Sequence, residues 1–577
     1  MANVAENMVE TLAKSGVKRV YGVVGDSLNG FTEAIRQQDG IDWFAVRHEE
    51  AAAFAAGAEA ALTDHIAVCA GSCGPGNLHL INGLYDANRS GVPVLAIAAH
   101  IPHAEIGGGY FQETHPENLF QECSVYCEMV STPEQMPRLM RLAMRAAIER
   151  HGVAVLVVPG ELFLDDVHGD SEAIRPAGYH VIPDDADLER AARALSGAKN
   201  ITMLVGAGAQ GAHDEVVAMA RHLQAPIVHT MRGKQWIAYD NPFDVGMTGL
   251  LGFTSGYTAL VNAQTLLIVG ADLPYRQFYP KNATVIQIDV NGDHFGRRTH
   301  VDVALRGTVK DTLPLLQAKT VANSSDRFLK RMLNEYSAAT KDLDDLAKPS
   351  RSVIHPQYIS RLLDTYADDD AVLIPDVGTP VIWAARYMNA NGKRSIIGSF
   401  VHGSMANALP QAIGAAASQP GRQVIAMCGD GGLSMLMGEL VTVNQHQLPI
   451  KVVVYDNASL NFVALEMKQG GYVDYGTQLN NPNFAAVANA VGIKGFRVEK
   501  SSELEQTMKE FLAWDGPAVL DVRTATQELT IPPTINVQQM KGFTLYALRT
   551  VLSGRGSDLI DMARVNMRQA GKVFKSL

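Results

Sequence analysis

The sequence predicts an α/β protein of three doubly wound parallel-sheet domains followed by an amphipathic C-terminal tail. Two observations carry this expectation. Short, continuous apolar runs recur along the chain, each ending in a glycine-rich or acidic turn and followed by a helical pattern. Repeated strand–turn–helix units of this kind fold as parallel sheets with helices on both faces. A chain of 577 residues, 47% hydrophobic and 19% charged, also has room for three or four cores at about 150 residues each.

The first unit spans residues 1–182. Val4 to Ser15 has helical periodicity, and Val17–Gly22 and Phe44–Val46 are short strands. Gly25–Gly30 is a strand-to-helix turn. Arg47-His48-Glu49-Glu50 precedes a helix of small residues, Ala51–Leu62. Ile66–Ala70 leads into Gly71-Ser-Cys-Gly-Pro-Gly76, and Pro93–Ala98 and Val153–Val158 are buried strands. A Pro-rich, acidic linker around Asp165–Asp187 opens the second unit, 183–335. Its strand Ile201–Val205 ends in Gly206-Ala-Gly208-Ala-Gln-Gly211, a dinucleotide-type turn, though one such turn is weak evidence. Leu266–Gly270 and Thr284–Asp289 are later strands, and Asp289 stands where an acid can hydrogen-bond an adenosine ribose. A charged helix, Ser325 to Lys348, crosses to the third unit, 354–528, and residues 529–577 form the tail.

Composition narrows the function. A net charge of −11 argues against general nucleic-acid binding. Cys69/Cys73 and Cys123/Cys127 share a C-x-x-x-C spacing but lack zinc-motif partners, so the five cysteines are expected to be buried free thiols. The N-terminus has no basic segment followed by an apolar one, and no uncharged apolar run approaches about 20 residues, so neither a signal peptide nor a spanning helix is expected.

The third unit carries the sharpest signal. The strand Gln423–Cys428 ends in Gly429-Asp430-Gly431-Gly432, and the strand Ile450–Tyr455 ends in Asp456-Asn457. Two strand ends thus bring a carboxylate and a carboxamide to one sheet edge, beside glycines that let phosphate approach backbone N–H groups. That is the pattern of a Mg–diphosphate site.

Together with Glu49, Gly71–Asn77, Tyr110–Pro116 and Gly403–Ala408 in the same order, this pattern resembles the thiamine-diphosphate enzymes of the pyruvate oxidase / acetolactate synthase group. Over the whole chain, tail included, the sequence is similar to the quinone-linked pyruvate dehydrogenase branch of that group. The resemblance implies a pyrimidine-binding, a flavin-binding and a diphosphate-binding domain in that order. It implies three cofactors: thiamine diphosphate, Mg2+ and FAD. By motif match Glu49 is the carboxylate that exchanges a proton with the aminopyrimidine. Its neighbour Glu50 is the competitor, turned about 100° away on a helix. Asp430, Asn457 and Ser459 match the metal ligands. Gly25, Gly378, Thr379, Gly403, Met405, Gly429, Gly431 and Gly432 match positions around thiamine diphosphate. Gly206, Gly208, Arg232, Gly249, Gly252, Arg276, Asp289 and Val309 match flavin-binding positions. Phe111 and Phe462 match pocket aromatics, and Gln112 and Glu466 are pocket polar groups.

Three positions depart from the pattern. Asp456 replaces the first of two asparagines, Thr308 replaces an acid, and Asn461 replaces a glycine. Asn461 is expected to keep a positive-φ turn, which asparagine tolerates.

The resemblance implies oxidative decarboxylation of pyruvate to acetate and CO2, with electrons passing through FAD to a membrane quinone. The rival activities are a phosphate- and oxygen-using pyruvate oxidase and an acetolactate synthase; the non-enzyme rival is an inactive cofactor-binding scaffold. Residues 557–575 form an expected amphipathic helix, with Ser557 as N-cap, Leu559, Ile560, Ala563, Met567, Ala570 and Phe574 on one stripe and Arg564, Arg568, Lys572 and Lys575 beside it. Such a helix packs on its own protein or lies on a lipid surface. The resemblance favours lipid, and with it a homotetramer that is cytoplasmic and peripheral on the inner face of the cell membrane.

Overall fold

The computed structural model describes residues 2–526, 528–529, 537–553 and 555–566. It contains three six-stranded, all-parallel sheets. The first holds β1 (Arg19–Gly22), β2 (Asp42–Ala45), β3 (Ala67–Gly71), β4 (Val94–His100), β5 (Tyr126–Met129) and β6 (Val153–Pro159), in the order β2-β1-β3-β4-β6-β5. The second holds β7 (Ile201–Val205), β8 (Ile227–His229), β9 (Asp244–Met247), β10 (Thr265–Val269), β11 (Thr284–Asp289) and β12 (Val303–Arg306), in the order β12-β11-β10-β7-β8-β9. The third holds β13 (Val372–Pro375), β14 (Ser395–Ile396), β15 (Val424–Gly429), β16 (Ile450–Asp456), β17 (Lys494–Val498) and β18 (Ala518–Arg523), in the order β14-β13-β15-β16-β18-β17. The expected three-domain α/β fold is therefore present.

The first and third sheets are wound identically. Each reverses direction between its first and third strands, at β1/β3 and at β13/β15. The second reverses between β7 and β10. Such reversals part the loops at the carboxyl edge and open a crevice there. The four glycine-rich turns of the sequence, after β1, β3, β7 and β15, lie at these points. The strands read from apolar runs are the central ones: every residue of β4, β6 and β16 is buried. The strands the sequence concealed, such as β9, β14 and β17, lie at or near sheet edges and are short or carry half-buried polar residues.

The domains share cores. The small-residue helix Glu49–Thr63 packs on the helix Ala408–Ser418 so closely that a Cβ on Gly414 would lie 2.1 Å from the Ala55 carbonyl oxygen. Alanines at the interface permit that approach, and one apolar cluster runs from Ala52 to Cys428 across both domains. Met247 and Phe253 of the second domain pack on Ala385 of the third. The five cysteines are free; four are buried and Cys127 is half-buried.

Two local expectations are corrected. Asn461 is not in a positive-φ turn. It is the first residue of the helix Asn461–Gln469, and its buried side chain donates to the Glu528 carbonyl at 3.2 Å. The left-handed residue of that connection is Ala458, at φ +56°. Nor is Ser557 an N-cap, because the helix Gly556–Val565 is entered from Arg555, which puts Ser557 in its first turn. A second tail helix, Val537–Leu552, lies against the segment after β16. Its Tyr546 is buried beneath the Lys468 ammonium, and Arg549 donates to the Gly471 carbonyl at 2.7 Å. Met567, Arg568, Ala570, Lys572, Phe574 and Lys575 lie outside the described residues.

Candidate active site

At the carboxyl edge of the third sheet, two helices begin side by side. Gly378, at φ +133°, precedes the helix Thr379–Tyr387, and Gly429 precedes the helix Asp430–Met435. A Cβ on Gly429 would lie 3.7 Å from Pro380, which measures how near the two starts are. Neither start has a side-chain N-cap; the Gly431 N–H is held by Asp430 and Pro380 has none, which leaves the N–H groups of Thr379 and Gly432 for an anion. Thr379 is buried at the first of these starts.

Asp430 is buried. Its Oδ1 accepts the Gly431 N–H at 2.9 Å, and its Oδ2 accepts the Ala458 N–H and the Asn481 side-chain N–H, each at 2.7 Å. Burial, with a smaller push from the Asp456 charge, raises its pKa to about 6. Buried Asn457 accepts the Ser459 N–H at 2.9 Å through Oδ1, leaving that oxygen one lone pair. Ser459 is buried beside it, and its carbonyl accepts the Asn461 N–H at 2.7 Å. A carboxylate, an amide oxygen and a carbonyl on adjacent turns form the donor set of a hard divalent cation. The Met405 methyl reaches to 3.6 Å from a Cβ placed on Gly431, so its side chain stands over the same turn. Gly403, at φ +80°, has open space where a side chain would be. The residues at this edge therefore fit a magnesium diphosphate with a ring system above it.

Sequence reasoning missed Asp376, which directly follows β13. It is fully buried, and its pKa is raised to about 7 by desolvation. Its Oδ1 accepts the Asn407 N–H at 3.1 Å, while Oδ2 has no hydrogen-bond partner and would lie 1.6 Å from a Cβ on Gly432. Asp376 thus joins the loop carrying Gly403 and Met405 to the start of the Asp430 helix. Its signal was an acid at the end of an apolar strand, two residues before a glycine.

The first domain presents the second half. Glu49 opens the helix Glu49–Thr63 and is buried, with Oε2 2.8 Å from His79 Nδ1. A Cβ on Gly76 would come within 3.1 Å of its Oε1. Glu50 diverges as helical spacing requires and accepts the Asn82 side-chain N–H at 2.7 Å. Asn82 also donates to Ser404 Oγ at 2.9 Å and meets His402 at 2.9 Å. This network ties the start of the first-domain helix to the Gly403 loop within one chain. Gly25 lies against Ser72 at the β1/β3 reversal, where a Cβ would be 2.2 Å from Ser72 Oγ. Gln112, at φ +62°, packs over Gly74 and accepts from the Cys73 thiol at 3.2 Å. Phe111 is 78% exposed, so it is not a core residue. On the third-domain side, Phe462 packs half-buried against the apolar core, and burial raises the pKa of Glu466. Burial raises the pKa of Tyr275 in the second domain, and the nearby Glu466 charge adds to that rise.

In the second domain, a Cβ on Gly206 would lie 2.4 Å from the Gly270 carbonyl, and one on Gly208 would lie 2.7 Å from Gly270 Cα. These contacts bring two backbones together at the β7/β10 reversal, which fits a dinucleotide. Gly249 takes φ +90°, and Gly252 packs on the Met247 carbonyl. Asp289, at the end of β11, accepts the Asn291 N–H at 2.9 Å and meets His294 at 3.1 Å. Val309 begins a helix capped by Thr308, whose hydroxyl accepts the Asp311 N–H, so threonine has a structural use there. Arg232 donates to the Ser90 carbonyl of the first domain at 2.6 Å, while Arg276 is exposed next to Tyr275. The structure thus places Arg232 in a domain junction, a role its sequence position did not suggest.

Family models match all three domains. They describe the N-terminal TPP binding domain of thiamine pyrophosphate enzymes over residues 2–120, the central domain over 188–316 and the C-terminal TPP binding domain over 376–522. A putative thiamine pyrophosphate-containing protein of Bacillus subtilis (strain 168) is 37% identical over 94% of this chain and 95% of its own length. Acetolactate synthase isozyme 2 large subunit of Escherichia coli (strain K12) is 30% identical over 90% of this chain and 95% of its own. Pyruvate oxidase of Lactiplantibacillus plantarum is 28% identical over 89% and 87%.

Proposed function

Because this chain belongs to the thiamine pyrophosphate enzyme family, we propose that it oxidatively decarboxylates pyruvate at a thiamine diphosphate and Mg2+ site and passes the electrons through FAD to a membrane quinone. The balanced reaction is pyruvate, water and quinone to acetate, CO2 and quinol, with two electrons and two protons moving to the quinone. Thiamine diphosphate, when bound, supplies the electron sink that lets a 2-keto acid lose CO2. Asp430, Asn457 and the Ser459 carbonyl hold the cation, and the helix starts at Gly378 and Gly429 receive the diphosphate. Met405 and the Gly403 backbone hold the ring. Glu49 takes and returns a proton at its carboxylate, and His79 hydrogen-bonds that carboxylate. The Gly206–Gly208 turn of the second domain would hold FAD, which would supply the two-electron acceptor.

The observation that carries the choice of acceptor is the outer side of the tail. Leu545, Leu548 and Leu552 of the helix Val537–Leu552 are exposed at helical spacing, joined by Val551 and by Ile560 of the next helix. An apolar row of this kind fits a lipid surface. No described helix is long and apolar enough to cross a membrane. The contact we propose is peripheral, made by a cytoplasmic enzyme on the inner face of the cell membrane. A homotetramer completes the proposal.

The test is anaerobic addition of pyruvate to the purified yellow protein, followed by a quinone with and without lipid vesicles. Flavin bleaching, acetate and CO2 as products, and faster quinone reduction with vesicles are expected. Acetyl phosphate with peroxide, or acetolactate, in place of acetate overturns the assignment.

A further inference from the structure

We infer that Asn481 is a positioning residue for the metal site: its single NH2 group holds the Asp430 carboxylate in its ligating pose and separates it from the buried charge of Asp456. This inference rests on the proposal that Asp430 ligates the cation.

The geometry is specific. Asn481 Nδ2 donates to Asp430 Oδ2 at 2.7 Å and to Asp456 Oδ1 at 2.8 Å, so both of its hydrogens are used, one on each carboxylate. Asp430 Oδ2 also accepts the Ala458 N–H at 2.7 Å, which fills both of its lone pairs. Oδ1 accepts only the Gly431 N–H, at 2.9 Å, and keeps one lone pair. The arrangement therefore selects Oδ1 as the oxygen offered to a cation and makes that contact monodentate.

Asp456 explains why an amide is needed here. It is fully buried and is the residue at which this chain departs from the expected asparagine. The Arg523 guanidinium meets its two oxygens at 3.0 and 2.9 Å, and Arg497 stands 4.0 Å away. A second carboxylate so close to a metal ligand would repel it, or would compete for the cation if it turned. The Asn481 amide occupies the gap and prevents both. Asn481 is delivered by the segment after the metal loop, which runs back along it. Leu460 donates to the Thr477 carbonyl at 2.7 Å, Leu479 donates to the Ala458 carbonyl at 2.9 Å, and Ser459 forms an antiparallel bridge with Gln478. The loop carrying Asn457 and Ser459 and the segment carrying Asn481 are thus one unit, clamped on Asp430 from two sides.

The test is Mn2+ binding, followed by the EPR signal of the free ion in the presence of thiamine diphosphate, for the full-length wild type, Asn481→Ala, Asn481→Ser and Asp456→Asn. Asn481→Ala is expected to weaken Mn2+ binding by about 10- to 100-fold, the usual effect of losing a hydrogen-bond partner of a metal ligand. Asn481→Ser, with one donor, is expected to fall between it and wild type. Asp456→Asn keeps an acceptor for the Asn481 amide and is expected to bind within about threefold of wild type by the same scale. In the double variant the Asn481→Ala loss should shrink, because the charge that the amide separates has gone. A merely structural role would give additive losses that track a lowered melting temperature. Unchanged Mn2+ affinity in both Asn481 variants, or strict additivity with Asp456→Asn, overturns the inference while leaving the family function standing. A wild type that binds thiamine diphosphate but no Mn2+ overturns the metal assignment and this inference together.

Discussion

Asp430 is an acid whose protonation competes with the cation it is placed to hold. Burial lifts its pKa to about 6, so below that value a proton must leave before a metal binds. Mg2+ affinity in the presence of thiamine diphosphate is expected to fall about tenfold per pH unit below this value and to level off above it; titration calorimetry one unit to either side checks this. Asp376 titrates in the opposite sense for stability. Its folded pKa of about 7 exceeds the unfolded value of about 3.9, so the protein binds the extra proton when folded. That contribution is complete below the unfolded value and is lost as the pH rises through about 7. Asp376→Asn is therefore expected to flatten the fall in melting temperature of the metal-free protein across that window. Glu49→Gln is expected to lower pyruvate-dependent flavin reduction by about 10²- to 10⁴-fold while the protein stays yellow, since Glu49 lies in the first domain and the flavin turn in the second. Asp430, Asn457 and Glu49 were legible as residues because each ends a strand or begins a helix within a recognisable run. Asp376 also follows a strand, but its role was not legible, because that role comes from Gly432, far away in sequence and packed against its Oδ2.

Helices set the distances between these residues. The join between Glu49–Thr63 and Ala408–Ser418 depends on Gly414, and Gly414→Ala is expected to cost about 1–3 kcal/mol by overpacking against the Ala55 carbonyl, measured by denaturant unfolding. The sequence disclosed the first of these helices but neither the second nor their contact, since small residues also suit a close turn or an ordinary buried helix. At the other end of the chain, charging the outer side of the tail with Leu548→Asp and Leu552→Asp is expected to abolish vesicle binding while leaving reduction of a soluble dye unchanged. Co-sedimentation with vesicles decides it, and unaltered binding would remove the lipid surface from the proposal. Helix periodicity forecast an apolar stripe after residue 557; among the described residues, Ile560 of that stripe is exposed and a further exposed row lies earlier, on Val537–Leu552. Periodicity reports that a helix has an apolar side and cannot say which part of it the protein covers with its own surface.

Across the whole molecule, two domains of identical winding flank one with a different strand order. Each sheet puts its glycine turns at its own point of reversal, so chemistry at three carboxyl edges is divided among three domains. The number of domains, their parallel sheets and the residue types at each edge were determined by the sequence alone. Apolar runs, glycine turns and strand-end acids are local features, and hydrophobic burial and backbone sterics act on them locally. The tertiary structure alone decided that Asp376 braces Gly432, that Arg232 serves a domain junction, that Asn461 starts a helix, and that Asn481 reaches back to stand between Asp430 and Asp456. These are contacts between segments distant in the chain. They follow from how burial packs whole elements together, and a spacing read along one strand or helix holds no record of it.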